Sequence, residues 1–313
     1  MSQPLQPPLA PQLSKSAGAL PTGPQWRYEP KLDGFRAIVF VRDGELTILS
    51  RSGRPLGRYF PELRFPDVPC VLDGEIIIGE TEGHQDFEAL QTRLHPAASR
   101  VERLSREIPA TFVAFDLLEV DGASVLELPF TDRRARLEAL LGKAPMTPVT
   151  DDPDAAQVWL TTAEGVIAKD ATAPYRPGER LGMVKIKRVR TIDAVILGWR
   201  PGKDEGTVGS LILGAYEPDG TLRGIGHSSG FTAKQKRELV AMLAPYETGE
   251  RGTGDASRWS GDRDLSWVSL RPELVAEVSF DHVSGGRIRH GAKTLRFRDD
   301  KAPGECGVDQ LDS

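Results

Sequence analysis

After Arg190 the chain changes texture, and that change limits its fold more than any single motif does. Residues 192–199, 210–216, 222–227, 274–280 and 294–298 read as short strands separated by Gly, Pro and Asp turns. One amphipathic segment, residues 232–243, interrupts them. Five strands with a helix between the third and fourth form the pattern of a small all-β OB-type barrel. At ~150 residues per domain, a chain of 313 residues holds about two domains. The boundary is placed near Arg190–Thr191, giving domains 1–190 and 191–313. The junction is not Gly-rich, so a short hinge is expected.

The first domain mixes strands and helices irregularly, which predicts an α+β fold and not a regular βαβ array. Residues 35–41 form an apolar β run, Asp43-Gly44 a hairpin turn, and residues 46–49 the returning strand. CVLDGEIII (70–78) and TFVAFDLL (111–118) read as buried strands, and 165–169 and 182–187 as shorter ones. Phe87, Leu90 and Leu94 have helical spacing. A second helix carries Leu137, Leu140 and Leu141, with Thr131-Asp132 as its cap and Gly142 as its stop. Residues 1–24 hold six prolines and one charge, Lys15. That composition suits a disordered tail or an extended docked segment. Leu9, Leu13 and Leu20 favour partial docking.

Several classes are excluded. No apolar run approaches the ~18 residues of a membrane span. The N-terminus lacks a basic region followed by an apolar one, so no signal peptide is read and a cytoplasmic location is expected. Two cysteines, Cys70 and Cys306, cannot build a disulfide scaffold or a four-cysteine zinc site. The five histidines have no metal-binding spacing. There is no GxxxxGK[ST] loop, no GxGxxG fingerprint and no Ser/His/Asp signature.

Six strings carry chemistry. Glu29-Pro30-Lys31-Leu32-Asp33-Gly34-Phe35-Arg36 reads either as a surface turn or as a nucleophilic lysine. A free lysine has pKa ~10.4, so nucleophilic use requires neighbouring cations or a metal. Ser50-Arg51-Ser52-Gly53 is either a polar loop or a phosphate clamp of guanidinium, hydroxyl and backbone N–H groups. Glu75, in Leu72-Asp73-Gly74-Glu75, lies in an apolar strand run, where a carboxylate must be paired, hydrogen-bonded or metal-bound. Phe115, in FVAFD (112–116), is a core aromatic or a base-stacking platform. Glu164 opens the strand EGVIAK (164–169). Lys185 and Lys187, in MVKIK (183–187), share one strand face, where two ammonium groups repel unless an anion lies between them. Together these residues suit phosphate-ester chemistry with a divalent metal held by Glu75 and Glu164.

In their order, KLDGFR (31–36), SRSG (50–53), LDGE (72–75), FVAFD (112–116), EGVIAK (164–169) and KIK (185–187) resemble the six nucleotidyltransferase motifs of ATP-dependent polynucleotide ligases and capping enzymes. RFRDDK (296–301) resembles the RxDK motif of the OB domain of DNA ligases. The resemblance spans residues 25–303. EPKLDGFR, RYFPEL (58–63), HPAASRV (95–101), YRPGER (175–180), ELVAEVSFD (273–281) and DDKAPGEC (299–306) look most like the compact bacterial two-domain DNA ligases of the LigC type. Met183 departs from the family, many of whose members carry an aromatic there.

The resemblance implies an ATP-grasp-like adenylation domain, an OB domain and a three-step reaction. Lys31 would attack ATP to form lysyl–AMP, AMP would pass to the 5′-phosphate of a nick, and the 3′-OH would then seal the strand. It implies that Glu29 belongs to the nucleotide site, that Glu75 binds the ribose and that Phe115 stacks on adenine. Glu164 would serve Mg or Mn, and Lys185 and Lys187 would hold the α-phosphate. Arg36 and Arg51 would contact nucleotide or nick phosphates. Arg298 and Lys301 would orient the departing pyrophosphate and then swing away. Nicked duplex DNA is the implied partner, with repair proteins besides, and the enzyme is expected to be a monomer. An RNA ligase or capping guanylyltransferase is the near alternative. A silent nucleic-acid-binding OB protein is the remote one, which the intact motif lysines and glutamates disfavour.

Net charge is −5, which at first argues against a nucleic-acid partner. Its distribution changes that reading. Residues 176–190 hold six basic groups against one acid, and residues 51–64 four against one. A duplex meets the facing surface and not the sum.

Overall fold

The computed structural model describes residues 4–42, 44–188, 190–253, 266–290 and 292–312. The chain divides into two compact units, Met1–Arg188 and Val189–Ser313. In the first unit the strands are β1 (Lys15–Ser16), β2 (Trp26–Pro30), β3 (Phe35–Arg42), β4 (Glu45–Ser50), β5 (Cys70–Ile77), β6 (Thr111–Val120), β7 (Ala123–Ser124), β8 (Gly165–Asp170) and β9 (Met183–Lys187). Its helices are α1 (Phe87–Thr92), α2 (Ala98–Glu107), α3 (Phe130–Leu141), α4 (Pro153–Gln157) and α5 (Trp159–Thr162).

Two sheets result. One has the order β4-β3-β5-β6-β7, the other β1-β9-β8-β2. The middle of β3, residues 37–41, is apolar because both its faces are covered. Ala37, Val39 and Val41 enter one core with Leu72, Leu90 and Leu137. Ile38 and Phe40 enter another with Val71, Leu118 and Tyr175. In the smaller sheet, Tyr28, Val166, Ala168 and Ile186 pack on Trp159. Strand alternation therefore sends Glu29, Ile167, Lys169, Met183 and Lys185 to the opposite face.

The strand expectations hold with small shifts at the ends. Asp43 of the expected turn lies outside the described residues, and Gly44 has φ +80°. Two helix expectations need correction. α1 ends at Thr92, so Leu94 falls beyond it and is exposed. Thr131 and Asp132 do not cap α3 but sit in its first turn; Pro129 is the N-cap, its ring presetting φ at −52°. Gly142 stops the helix as expected, at φ +56°. α2 was not foreseen, because only Val101 and Leu104 of its ten residues are buried. Residues 4–24 dock along the unit. Leu5 and Leu9 pack on the Tyr175 core and Leu20 on the Trp159 core. Lys15–Ser16 pairs in parallel with β9.

The second unit holds β10 (Arg190–Pro201), β11 (Val208–Tyr216), β12 (Leu222–Ser228), β13 (Glu247–Thr253), β14 (Ser266–Leu270), β15 (Val275–Phe280), β16 (His282–Ser284), β17 (Arg287–His290), β18 (Lys293–Phe297) and one long helix, α6 (Ala233–Leu243). It is an OB-like curled sheet. β10 is its spine: residues 190–195 pair with β15, while Gly198 and Trp199 pair with β14. Thr232 and Gln235 form a capping box on α6. β13 was missed because ETGERGT is almost wholly exposed and carries no alternation of apolar residues. No described helix is long and apolar enough to cross a membrane.

Candidate active site

A cavity of about 210 Å³ opens between the two sheets of the first unit. Lys31, Glu75, Phe115, Lys169 and Lys185 line it, together with the N-terminal segment at Pro11–Ser14. Lys31 follows directly on β2, and its backbone N–H donates to Gly165 O at 2.8 Å. That bond ties the KLDG turn to the start of β8. Gly165 also lets β9 pass close by: at φ +135°, a Cβ there would lie 2.1 Å from Ile186 O. Among the described residues, the Lys31 Nζ donates to Leu32 O, at 3.3 Å.

Arg36 and Glu75 are register partners on β3 and β5. Arg36 donates from Nε and NH2 to the two oxygens of Asp73, each at 2.6 Å, and its guanidinium lies 4.6 Å from the centre of the Phe115 ring. Phe115 stands at a β-bulge. Asp73 pairs with Asp116 and Gly74 with Ala114, so Phe115 has no partner across the strand. Bulges redirect side chains next to active sites. Burial pushes the Glu75 carboxyl up to about 7, against the pull of Arg36 and Lys31.

The far end of the cavity is a buried polar cluster. Lys169 Nζ lies 2.7 Å from Glu29 Oε2 and donates to Phe115 O at 2.9 Å. Thr147 Oγ1 donates to Glu29 Oε1 at 3.2 Å, and Arg134 donates to Thr147 O at 2.7 Å. The mouth is cationic. Burial lowers the Lys185 ammonium pKa, and Lys187, Lys31, Arg51 and Arg180 lower it further. Such a cluster of like charges is a place for an anion.

The expected residues are only partly brought together. Lys31, Glu29, Arg36, Arg51, Glu75, Phe115 and Lys185 all line the cavity. Lys187 shares the face of Lys185 but is exposed one step outward and is not among the lining residues. Glu164 is not among them either; its carbonyl accepts from Arg188 N at 3.2 Å. Among the described residues no three His, Cys, Asp or Glu side chains converge as a metal site. Glu75 alone therefore offers the cavity a carboxylate not already tied to a lysine. This suits a divalent ion held mainly by substrate phosphates. Part of the Ser50–Gly53 turn is already committed, because Arg54 N donates to Ser50 Oγ at 3.0 Å and Gly53 N to Ser50 O at 2.8 Å.

Arg298 and Lys301 belong to the second unit. There Arg298 holds Asp300 at 2.8 Å and Asp193 at 3.1 Å. Sequence reasoning missed Gln12, Thr147 and Arg180 as lining residues. It quoted Lys169 within EGVIAK without giving it a role. Met183, the departure from the family pattern, is buried against the cavity.

Residues 7–187 match the family model described as ATP dependent DNA ligase domain, and residues 204–301 match that of the ATP dependent DNA ligase C terminal region. The chain belongs to the ATP-dependent DNA ligases. Within that family it is 44% identical to DNA ligase C1 of Mycolicibacterium smegmatis, over 100% of this chain and 96% of that one. The ligase domain of M. tuberculosis LigD is similar in structure, with a TM-score of 0.54 and 32% identity over 95% of this chain and 97% of that one. A mycobacterial DNA ligase D complexed with ATP and MES is similar at 31% identity, with a TM-score of 0.53 over 95% of this chain and 97% of that one.

Proposed function

We propose that this ligase seals nicks in duplex DNA through an AMP adduct on Lys31. The lysine amine attacks the α-phosphorus of ATP. The N–P bond forms, the bond to the bridging oxygen breaks, pyrophosphate departs and the ammonium proton is lost to solvent. An oxygen of the nick 5′-phosphate then displaces the lysine, and the 3′-OH displaces AMP. A divalent metal, when bound, supplies charge neutralisation at the phosphates, with Glu75 as its protein contact and Glu164 as a further proposed partner.

The observation that carries this reading is the placing of Lys31 in one cavity with Glu75, Phe115 and Lys185. Phe115 offers a ring for the adenine and Glu29 a polar end of the cavity for its edge. Glu75 offers a carboxylate for the ribose. Lys185, Lys187, Arg36 and Arg51 supply cations for phosphates. Arg298 and Lys301 of the second unit assist the departure of pyrophosphate. A role in repair is the biological setting we assign.

The test is incubation of the full chain with labelled ATP and Mg or Mn. An acid-labile covalent AMP adduct that disappears in Lys31→Ala is expected. No adduct, or an adduct that persists in Lys31→Ala, overturns the proposal.

A further inference from the structure

We infer that Gln12 and Tyr175 are positioning residues that hold the Arg36 guanidinium at the cavity wall. This rests on Arg36 serving the nucleotide site, as proposed above. Neither residue belongs to the motifs that carry the chemistry. Gln12 lies in the Pro-rich N-terminal segment, and Tyr175 in the connection between β8 and β9.

The two residues complete a closed hydrogen-bonded ring. Gln12 N donates to Tyr175 Oη at 2.9 Å, and Tyr175 Oη donates to Asp73 Oδ2 at 2.6 Å. Arg36 NH2 donates to the same Asp73 oxygen at 2.6 Å and to Gln12 O at 3.3 Å. Four separate segments meet there. Asp73 is fully buried and Tyr175 nearly so, at 2% exposure. The buried carboxylate thus receives three donors: two fix the plane of the guanidinium and the third is the phenol. NH1 takes no part in the ring, and Arg36 itself lines the cavity.

The Gln12 side chain secures the arrangement from the other side. Its Oε1 accepts from Arg176 N at 2.9 Å and its Nε2 donates to Leu181 O. Leu13 N donates to Glu179 O at 2.8 Å. The connection that carries Tyr175 is thereby fastened to the N-terminal segment from Arg176 to Leu181. Removing the phenol hydroxyl leaves Gln12 N–H buried without an acceptor and Asp73 short of one donor. The guanidinium is then held by one carboxylate that is itself less well fixed.

The experiment is a double-mutant cycle on the full chain: wild type, Tyr175→Phe, Arg36→Lys and the double variant. The readout is the second-order rate constant for self-adenylation with labelled ATP. Tyr175→Phe is expected to lower it about 10-fold, and to cause no further loss in the Arg36→Lys background. Losses that multiply, or a Tyr175→Phe rate equal to wild type, overturn the inference, because the phenol then acts independently of Arg36. If Tyr175→Phe does not fold, Gln12→Ala takes its place in the same cycle, with an expected loss of about 3-fold and the same criterion. The two readings fail separately. Absence of any Lys31 adduct in the wild type sinks the proposed function. An unaffected Arg36→Lys removes Arg36 from the site, and the positioning role with it. Independent losses with a normal wild-type adduct remove the positioning role alone.

Discussion

Lys169 Nζ and Glu29 Oε2 lie 2.7 Å apart, in an ion pair whose members are 5% and 2% exposed. The pair ties β8 to β2 at the inner end of the cavity, one residue from the Pro30-Lys31 turn. Its geometry makes Lys169 a structural support for the cavity as well as part of its lining.

Lys169→Met strands a buried carboxylate. The expected loss of stability is about 3–5 kcal/mol, because the remaining charge is left with the longer contact to Arg134, at 3.6 Å. Urea unfolding measures it. Adding Glu29→Gln should restore part of the loss. A cost below ~1 kcal/mol for Lys169→Met would mean that the pair behaves like an exposed one.

Lys185 and Lys187 share a strand face but not an environment. Lys185 lines the cavity and Lys187 is exposed beyond it. Lys185→Ala should slow self-adenylation by about 100-fold and Lys187→Ala by about 10-fold, both through lost stabilisation of phosphate charge. Single-turnover adduct formation with labelled ATP reads both. Equal losses would contradict the difference in placement.

Glu75 gives a pH signature. Its carboxyl is pushed up to about 7 from an ordinary value near 4.5, chiefly by burial. The folded state therefore binds the proton more tightly than the unfolded state does. That contribution is complete below the unfolded value and is lost as pH rises through about 7. Glu75→Gln cannot ionise. It should match wild type in stability near pH 4 and exceed it by up to about 2 kcal/mol at pH 8, with the partial exposure of the carboxylate allowed for. Thermal or urea unfolding across that range is the check, and a gap that does not vary with pH would refute it.

The role proposed for Arg298 predicts a separation between the steps of the reaction. The pairs of Arg298 with Asp193 and Asp300 are partly open to solvent, so Arg298→Ala should change stability little. Self-adenylation should nonetheless fall, while sealing of a pre-adenylated nick, which releases no pyrophosphate, should be largely kept. Equal impairment of both assays would contradict a leaving-group role.

The strands were legible because their burial is two-sided and local. Residues 37–41, 70–72 and 76–77 place buried apolar side chains on both strand faces. α2 and β13 were not legible, since each is mostly exposed and is held in place by its neighbours. Lys31, Arg36, Glu75, Phe115 and Lys185 were found as residue types in a particular order, and the fold brings them to one cavity. Thr147 gave no signal, because a threonine in a loop has many uses. Gln12 lies in a segment whose prolines fit a disordered tail equally well.

By itself, the sequence determined the two-domain plan, most strands and the candidate residues for the proposed chemistry, since periodicity and chemical type are local properties. Only the tertiary structure decided that Phe115 stands on a bulge, that Lys187 and Glu164 fall outside the cavity lining, and that Gln12 and Tyr175 close a ring on Arg36. Those are matters of register and of hydrogen bonds between segments from 24 to 163 residues apart. A buried donor there must find an acceptor, but nothing in the order of residues says which one.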